Sequence, residues 1–175
     1  MAYKKKTWTE KLNDNKNFPK ILGFERNFPC AKALEKWGAK PGDKVVLTQP
    51  LEVYEIMRNV PKGKLITIYE ICNLLAKKHN ADYCCSLTTG IFINIAANAI
   101  EEAKERGEKD KTPYWRTIKT GGFLNKKFPG GVEKQKKMLE KEGFIVLQKG
   151  KEYFVKDYER YLIKGNKNAT KNNFT

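Results

Sequence analysis

The sequence predicts an α+β fold, mostly helical, with a helix-turn-helix core and a small C-terminal β-hairpin. Three observations carry this reading. Apolar residues recur at helical spacing from Pro50 onward, the Val60-Pro61-Lys62-Gly63 break divides the first two of these helices, and two strand-like runs flank Lys149-Gly150. At 175 residues and 40% apolar content the chain can build one core with short extensions, and no apolar run is long enough for a spanning helix.

Each element has a local cause. Thr7-Trp8-Thr9-Glu10 has the spacing of a capping box, with the threonine hydroxyl and the glutamate satisfying first-turn amides reciprocally. A short helix is predicted from Ala31 to Trp37, stopped by Gly38, and a strand from Lys44 to Thr48 after the Lys40-Pro41-Gly42-Asp43 turn. Residues 1–49 therefore read as an irregular N-terminal extension with short helices and a strand. Residues 50–163 read as the main domain. Its helices are predicted at Leu51 to Asn59, Tyr69 to Lys78 and Leu87 to Arg106, with an extended piece at Leu65 to Thr67 and a polar loop through His79 to Ser86. The third helix has the clearest period, in Ile91, Phe92, Ile95, Ala96, Ala99, Ile100 and Ala103. A fourth helix is predicted from Val132 to Glu142, then strands Phe144 to Gln148 and Lys151 to Val155 and a last helical turn at Tyr158 to Ile163. The Lys/Asn-rich residues 164–175 are expected to be a disordered basic tail.

The net charge is +15, and it is unevenly placed. Residues 1–50 carry a surplus of six positive charges, residues 51–112 are balanced, and residues 113–175 carry a surplus of nine. A field of that sign favours a polyanion. Four cysteines with no CxxC pair, and no apolar stretch after the basic first residues, lead to the expectation of reduced thiols in a cytoplasmic protein. His79 is the only histidine, so no metal site and no cofactor is expected.

An ordered series of motifs gives a sharper reading. Thr112-Pro113-Tyr114-Trp115-Arg116-Thr117 is followed by Lys119-Thr120-Gly121-Gly122, by Phe128-Pro129-Gly130-Gly131 and by a helix ending Glu142-Gly143. With Val60-Pro61-Lys62-Gly63-Lys64 and Tyr69-Glu70-Ile71 upstream, residues 50–145 resemble the DNA-binding domain of O6-alkylguanine-DNA alkyltransferases. The resemblance implies a winged helix-turn-helix, with an arginine on the recognition helix, and a loop whose cysteine takes the alkyl group while a histidine and a glutamate assist. At the matching positions this chain has Tyr114 for the cysteine and Trp115 for the histidine, while Arg116 and Glu142 fit the retained arginine and glutamate. No arginine stands at the start of the third helix, where Thr88, Thr89 and Gly90 are found.

Alkyl transfer needs an activated soft nucleophile; a phenol of pKa about 10 is far weaker than a thiol of about 8.5, and no imidazole remains in the loop. The chain is therefore read as a non-enzyme, close to the alkyltransferase-like branch that replaces the cysteine and binds alkylated DNA. The implied partners are double-stranded DNA with alkylated or damaged bases, and other DNA-repair proteins. Tyr114, Trp115, Arg116, Ile68, Tyr69 and Phe128 are the candidate base pocket, since flipped bases are held by aromatic stacking. Filling of a dead site by Tyr114 and Trp115, and carbonyl bonding by Arg116, are the competing structural readings. The candidate DNA contacts are Thr88, Thr89, Gly90 and Asn94 on the third helix, and Lys126, Lys127, Lys149 and Lys151, with Lys134, Lys136 and Lys137 beside them. Two alternatives stand: an enzyme of the same family with a relocated cysteine, and a basic module for RNA or protein.

Overall fold

The computed structural model describes residues 4–164, a mixed α+β arrangement of helices and three small sheets. The expected disordered tail lies, beyond Lys164, outside the described residues. The helices are α1 (Trp8–Leu12), α2 (Ala31–Lys36), α3 (Pro50–Arg58), α4 (Ile68–Lys78), α5 (Ser86–Glu105) and α6 (Gly131–Lys141). The strands are β1 (Lys20–Gly23), β2 (Lys44–Leu47), β3 (Ile66–Thr67), β4 (Tyr83–Cys84), β5 (Thr117–Ile118), β6 (Val146–Lys149) and β7 (Glu152–Val155).

Helix α5 is the spine. It buries Phe92, Ile93, Ala96, Ala97, Ala99 and Ile100 in one cluster with Val53 and Met57 of α3 and Ile71, Cys72 and Leu75 of α4. The alanines let neighbouring helices come close, and the larger residues fill the gaps between them. Helix starts are set locally. Thr7 and Glu10 form the predicted capping box, and Thr67 and Glu70 form another at α4, with the Thr67 hydroxyl accepting from the Tyr69 amide at 3.2 Å.

Three strands escape the sequence reading: β5 falls within residues 107–122, expected as a loop, and β1 and β4 are the other two. β1 has every residue exposed, and β4 lies in the segment predicted as a polar loop. Both join β2 in the order β1-β2-β4, with β1 antiparallel to β2 (Lys20 opposite Leu47) and β4 parallel to it (Val45 opposite Tyr83). Residues 1–49 are thus tied into the rest. Leu12 lies in the main core, and the Glu102 carboxylate of α5 accepts from the Trp8 and Thr9 amides at 3.1 and 2.8 Å.

The second half closes on a separate apolar cluster of Leu65, Ile118, Leu124, Leu139, Phe144 and Val155. β3 pairs in parallel with β5, and β6 pairs with β7 in a hairpin. Lys149 stands opposite Glu152, so the two loop residues are Gly150 and Lys151, one step later than predicted. The last helical turn is shorter than predicted, a 3-10 turn at Tyr158–Arg160. Both glycine pairs have a backbone reason: Gly121, Gly122, Gly130 and Gly131 all take positive φ, and a Cβ at Gly122 would lie 2.6 Å from the Tyr158 ring.

Candidate nucleic-acid interface

The loop that carries the family-like motif folds as a 3-10 turn, Tyr114–Arg116, running directly into β5. Tyr114 is 2% exposed. Its ring meets Trp115 and Phe128 edge-on, with centroids 5.7 and 5.4 Å away, and its hydroxyl donates to Glu101 Oε1 at 2.9 Å. Burial first, and the Glu101 carboxylate second, push the phenol well above its ordinary value. Tyr114 therefore stays protonated and is packed as core material. Of the expected base-pocket residues, Tyr114 and Phe128 are interior, Ile68 lies against Gly90, and half-exposed Tyr69 packs edge-on to Trp37.

Arg116 takes the structural role. Its guanidinium forks onto Glu142, with Nε to Oε2 at 2.9 Å and Nη2 to Oε1 at 2.6 Å, and its Nη1 donates to the Val60 carbonyl at 2.6 Å. These bonds tie the loop to the end of α6 and to the segment after α3. Glu142 is thus engaged by an arginine and not positioned to orient a histidine. Gln135, which the sequence reading passes over, is a second clip. It is 1% exposed, donates to the Trp115 and Thr117 carbonyls at 3.1 and 3.0 Å, and accepts from the Asn125 amide at 2.8 Å. A polar residue between Val132 and Leu139 on the inward stripe of α6 is the signal that could have found it.

Glu101 gathers three donors: Tyr114, Lys104 at 3.1 Å and Lys134 at 2.7 Å. Burial opposes its ionisation, but the bonds from Lys134, Tyr114 and Lys104 outweigh that and hold the carboxyl below its ordinary value. A depressed folded pKa gives stability that is complete above the unfolded value of about 4.5 and is lost as pH falls through the folded one. Denaturation midpoints are therefore expected to drop below about pH 4.5, and Glu101→Gln to flatten that drop. Parallel profiles for the two proteins would disprove this role for Glu101.

The outward face of α5 is different. Burial of Thr89, Phe92, Ile93, Ala96 and Ala97 leaves Leu87, Ile91, Asn94 and Asn98 as the opposite stripe. Thr89 is 1% exposed, with its hydroxyl 3.3 Å from Cys84 Sγ, so its predicted phosphate contact is corrected: it faces the core. The Thr88 hydroxyl donates to Cys85 Sγ at 3.2 Å, and Gly90 is half-buried against Ile68. Asn94 accepts from Asn125 Nδ2 at 3.0 Å, which pins the loop bearing exposed Lys126 and Lys127 beside the helix. Lys126 in turn reaches Glu152 at 3.5 Å, next to exposed Lys149 and Lys151 at the hairpin tip. Helix face, loop and hairpin are thereby linked into one surface. Lys134 and Lys136 are occupied, the first by Glu101 and the second 5.1 Å over the Tyr153 ring, whereas Lys137 is exposed. Two carboxylates of the acidic half of α5 point at protein groups, Glu101 at Tyr114 and Glu102 at α1, while Glu105 is exposed.

No family model matches the sequence, and no curated protein matches it. Among solved structures, the chain is similar to S. pombe Atl1 in complex with damaged DNA containing O6-carboxymethylguanine. That likeness has 23% identity and a TM-score of 0.46, covering 66% of this chain and 94% of that one. It is also similar to S. pombe ATL in complex with DNA, at 22% identity and a TM-score of 0.47 over the same shares.

The thiols are enclosed. Cys30, Cys72, Cys84 and Cys85 are each less than 8% exposed. Burial and the neighbouring Cys85 push the Cys30 thiol up to about 12, which leaves little thiolate at neutral pH. The lone histidine is held by Glu52, 2.7 Å from its Nε2, far in sequence from the Tyr114 loop. No helix among the described residues is long and apolar enough to cross a membrane.

Proposed function

We propose that the protein binds double-stranded DNA non-covalently and marks alkylated or otherwise damaged bases for other repair proteins, without taking up the alkyl group. On this reading α4 and α5 act as the helix-turn-helix and the β6–β7 hairpin as the wing. The observation that carries it is the Asn94–Asn125 bond, which sets the Lys126-Lys127 loop beside the exposed face of α5 and next to the cationic hairpin tip. Such a surface suits a phosphate backbone, where lysines release condensed counterions. Absence of chemistry is supported by the protonated, buried Tyr114 and by four enclosed thiols.

The test is fluorescence anisotropy with plain and O6-alkylated duplexes over a salt series, followed by intact-mass measurement of the same mixtures. Binding is expected to weaken with salt. Changing Lys126, Lys127, Lys149 and Lys151 together to alanine is expected to lower the log–log slope by up to about 0.9 for each phosphate no longer neutralised. The alkylated duplex is expected to bind more tightly, and the protein mass to stay unchanged. Equal affinity for both duplexes removes lesion recognition, and an added alkyl mass overturns the non-enzymatic reading. Tighter binding to structured RNA than to duplex DNA would replace the ligand.

A further inference from the structure

Strand β1 has a neighbour on one side only. The order β1-β2-β4 leaves it at the edge of its sheet, and no other strand among the described residues pairs with it. The Phe24 amide donates to the Asp43 carbonyl at 2.7 Å, which sets the phase of the antiparallel ladder. Lys20 and Leu22 therefore bond β2, and Ile21 and Gly23 turn their amides and carbonyls away from it. Such an edge is a template for one more strand. Its large side chains are uncovered as well, with Ile21 48% and Leu22 40% exposed, and they lie on opposite faces.

Leu22 stands opposite Val45, and Leu47 is two residues along β2, so all three share one face. They line a hollow of about 160 Å³ that Phe28, Cys30, Cys85 and Leu87 close. Small-molecule pockets begin at roughly 300 Å³, whereas a cavity of about 150 Å³ holds a single benzene ring. The hollow therefore suits one apolar side chain, and a ligand seated in it alone would leave Ile21 bare. A strand laid along β1 covers both faces. Charge decides whose strand it is. The charged residues of the sheet are Lys20 and Lys44, both exposed, and residues 1–50 carry a surplus of six positive charges. The adjoining acids are engaged: Asp43 accepts from the Lys40 amide at 2.7 Å, and Asp82 from the Lys44 amide at 2.8 Å. A second copy of the chain would bring the same cationic surplus to the contact, whereas an acidic segment complements it.

We propose that the free edge of β1 binds an extended acidic segment of a partner protein as an added antiparallel strand, with one large apolar side chain of that segment seated in the hollow beside Leu22. Main-chain bonds to Ile21 and Gly23 supply affinity, and the hollow supplies the choice of side chain. The proposal stands whether or not the protein binds duplex DNA.

The experiment uses the full chain and fluorescein-labelled peptides of the form Glu-Asp-Val-X-Val-Asp-Glu, read by anisotropy. X falls opposite Leu22 and the valines opposite Ile21 and Gly23. With X as Phe or Leu, binding is expected to be about tenfold tighter than with X as Ala, because the larger side chain loses its apolar surface to the hollow. Leu22→Asp is expected to erase that difference. Ile21→Pro removes an outward amide without touching the bonds to β2, and is expected to abolish binding. A thermal melt checks that both variants fold. Methylation of both valine nitrogens of the peptide makes the same test on the wild-type protein and is expected to abolish binding, whereas methylation of the X nitrogen is expected to spare it. Replacing the acids of the peptide by lysine is expected to weaken binding about tenfold or more. Absence of binding by the Phe and Leu peptides overturns the proposal. Binding that is indifferent to X, or that Ile21→Pro and valine methylation leave unchanged, also overturns it, since charge alone then explains the affinity. A wild-type dimer in sedimentation that Ile21→Pro dissolves gives the edge to a second copy of the chain and overturns it too.

Discussion

Tyr114→Ala is expected to cost about 3–5 kcal/mol of folding free energy, the range for removing a fully packed aromatic ring. The ring touches Trp115 and Phe128, and its hydroxyl is one of three donors on Glu101. Truncation leaves a void between these groups and takes a hydrogen bond from a half-buried carboxylate. Tyr114→Phe separates the two contributions. It keeps the ring and removes only the hydroxyl, for about 1–2 kcal/mol, because Lys104 and Lys134 continue to bond Glu101. Urea denaturation of the three proteins measures both. A loss below about 1 kcal/mol for the alanine variant would mean that the ring lines an adaptable opening and is not part of the packed interior.

Glu142→Ala is expected to be equally damaging. The Arg116–Glu142 pair has side-chain exposures of 12% and 11%, so removing the carboxylate strands a guanidinium with the Val60 carbonyl as its remaining bonded partner. Breaking such a pair from one side costs about 3–5 kcal/mol. Replacing both partners by apolar groups, Arg116→Met with Glu142→Leu, is expected to cost less than the Glu142 change alone, since no buried charge is then left uncompensated. A double-mutant cycle reads the coupling directly. If the double variant is no better than the single one, the Val60 contact, not the ion pair, is what holds the loop.

What the sequence discloses follows how local each signal is. Helix α5 is legible because its apolar period runs over five turns, and α1 because its capping box is written in four consecutive residues. β1 and β4 are not legible. Lys20–Gly23 has no alternation to show, every residue being exposed, and Tyr83–Cys84 is a strand only because β2 is there to pair with it. The site divides in the same way. The Lys126-Lys127 loop and the hairpin tip are visible as clustered charge, whereas the contact that joins the loop to α5 involves asparagines 31 residues apart. Thr89 reads as a phosphate ligand from its place at a helix start, although it shares the phase of Phe92, Ile93 and Ala96 and so turns inward. The Tyr114 loop is legible as lacking a nucleophile. That its aromatic ring is sealed inside depends on Phe128 and Glu101, which no local pattern announces.

The pairing of β2 with β4, and of β3 with β5, also bears on how the chain reaches this state. Each is a parallel two-residue match between segments separated by a whole helix or more, so neither gains anything until a long loop has been closed. Helices α3 to α5 pack on one another in one apolar cluster and can assemble without them. The order that follows is a helical nucleus first, with the N-terminal sheet and the β3–β5 junction zipping onto it as late events. The edges that meet last on the way in are then the ones that open first when the molecule breathes.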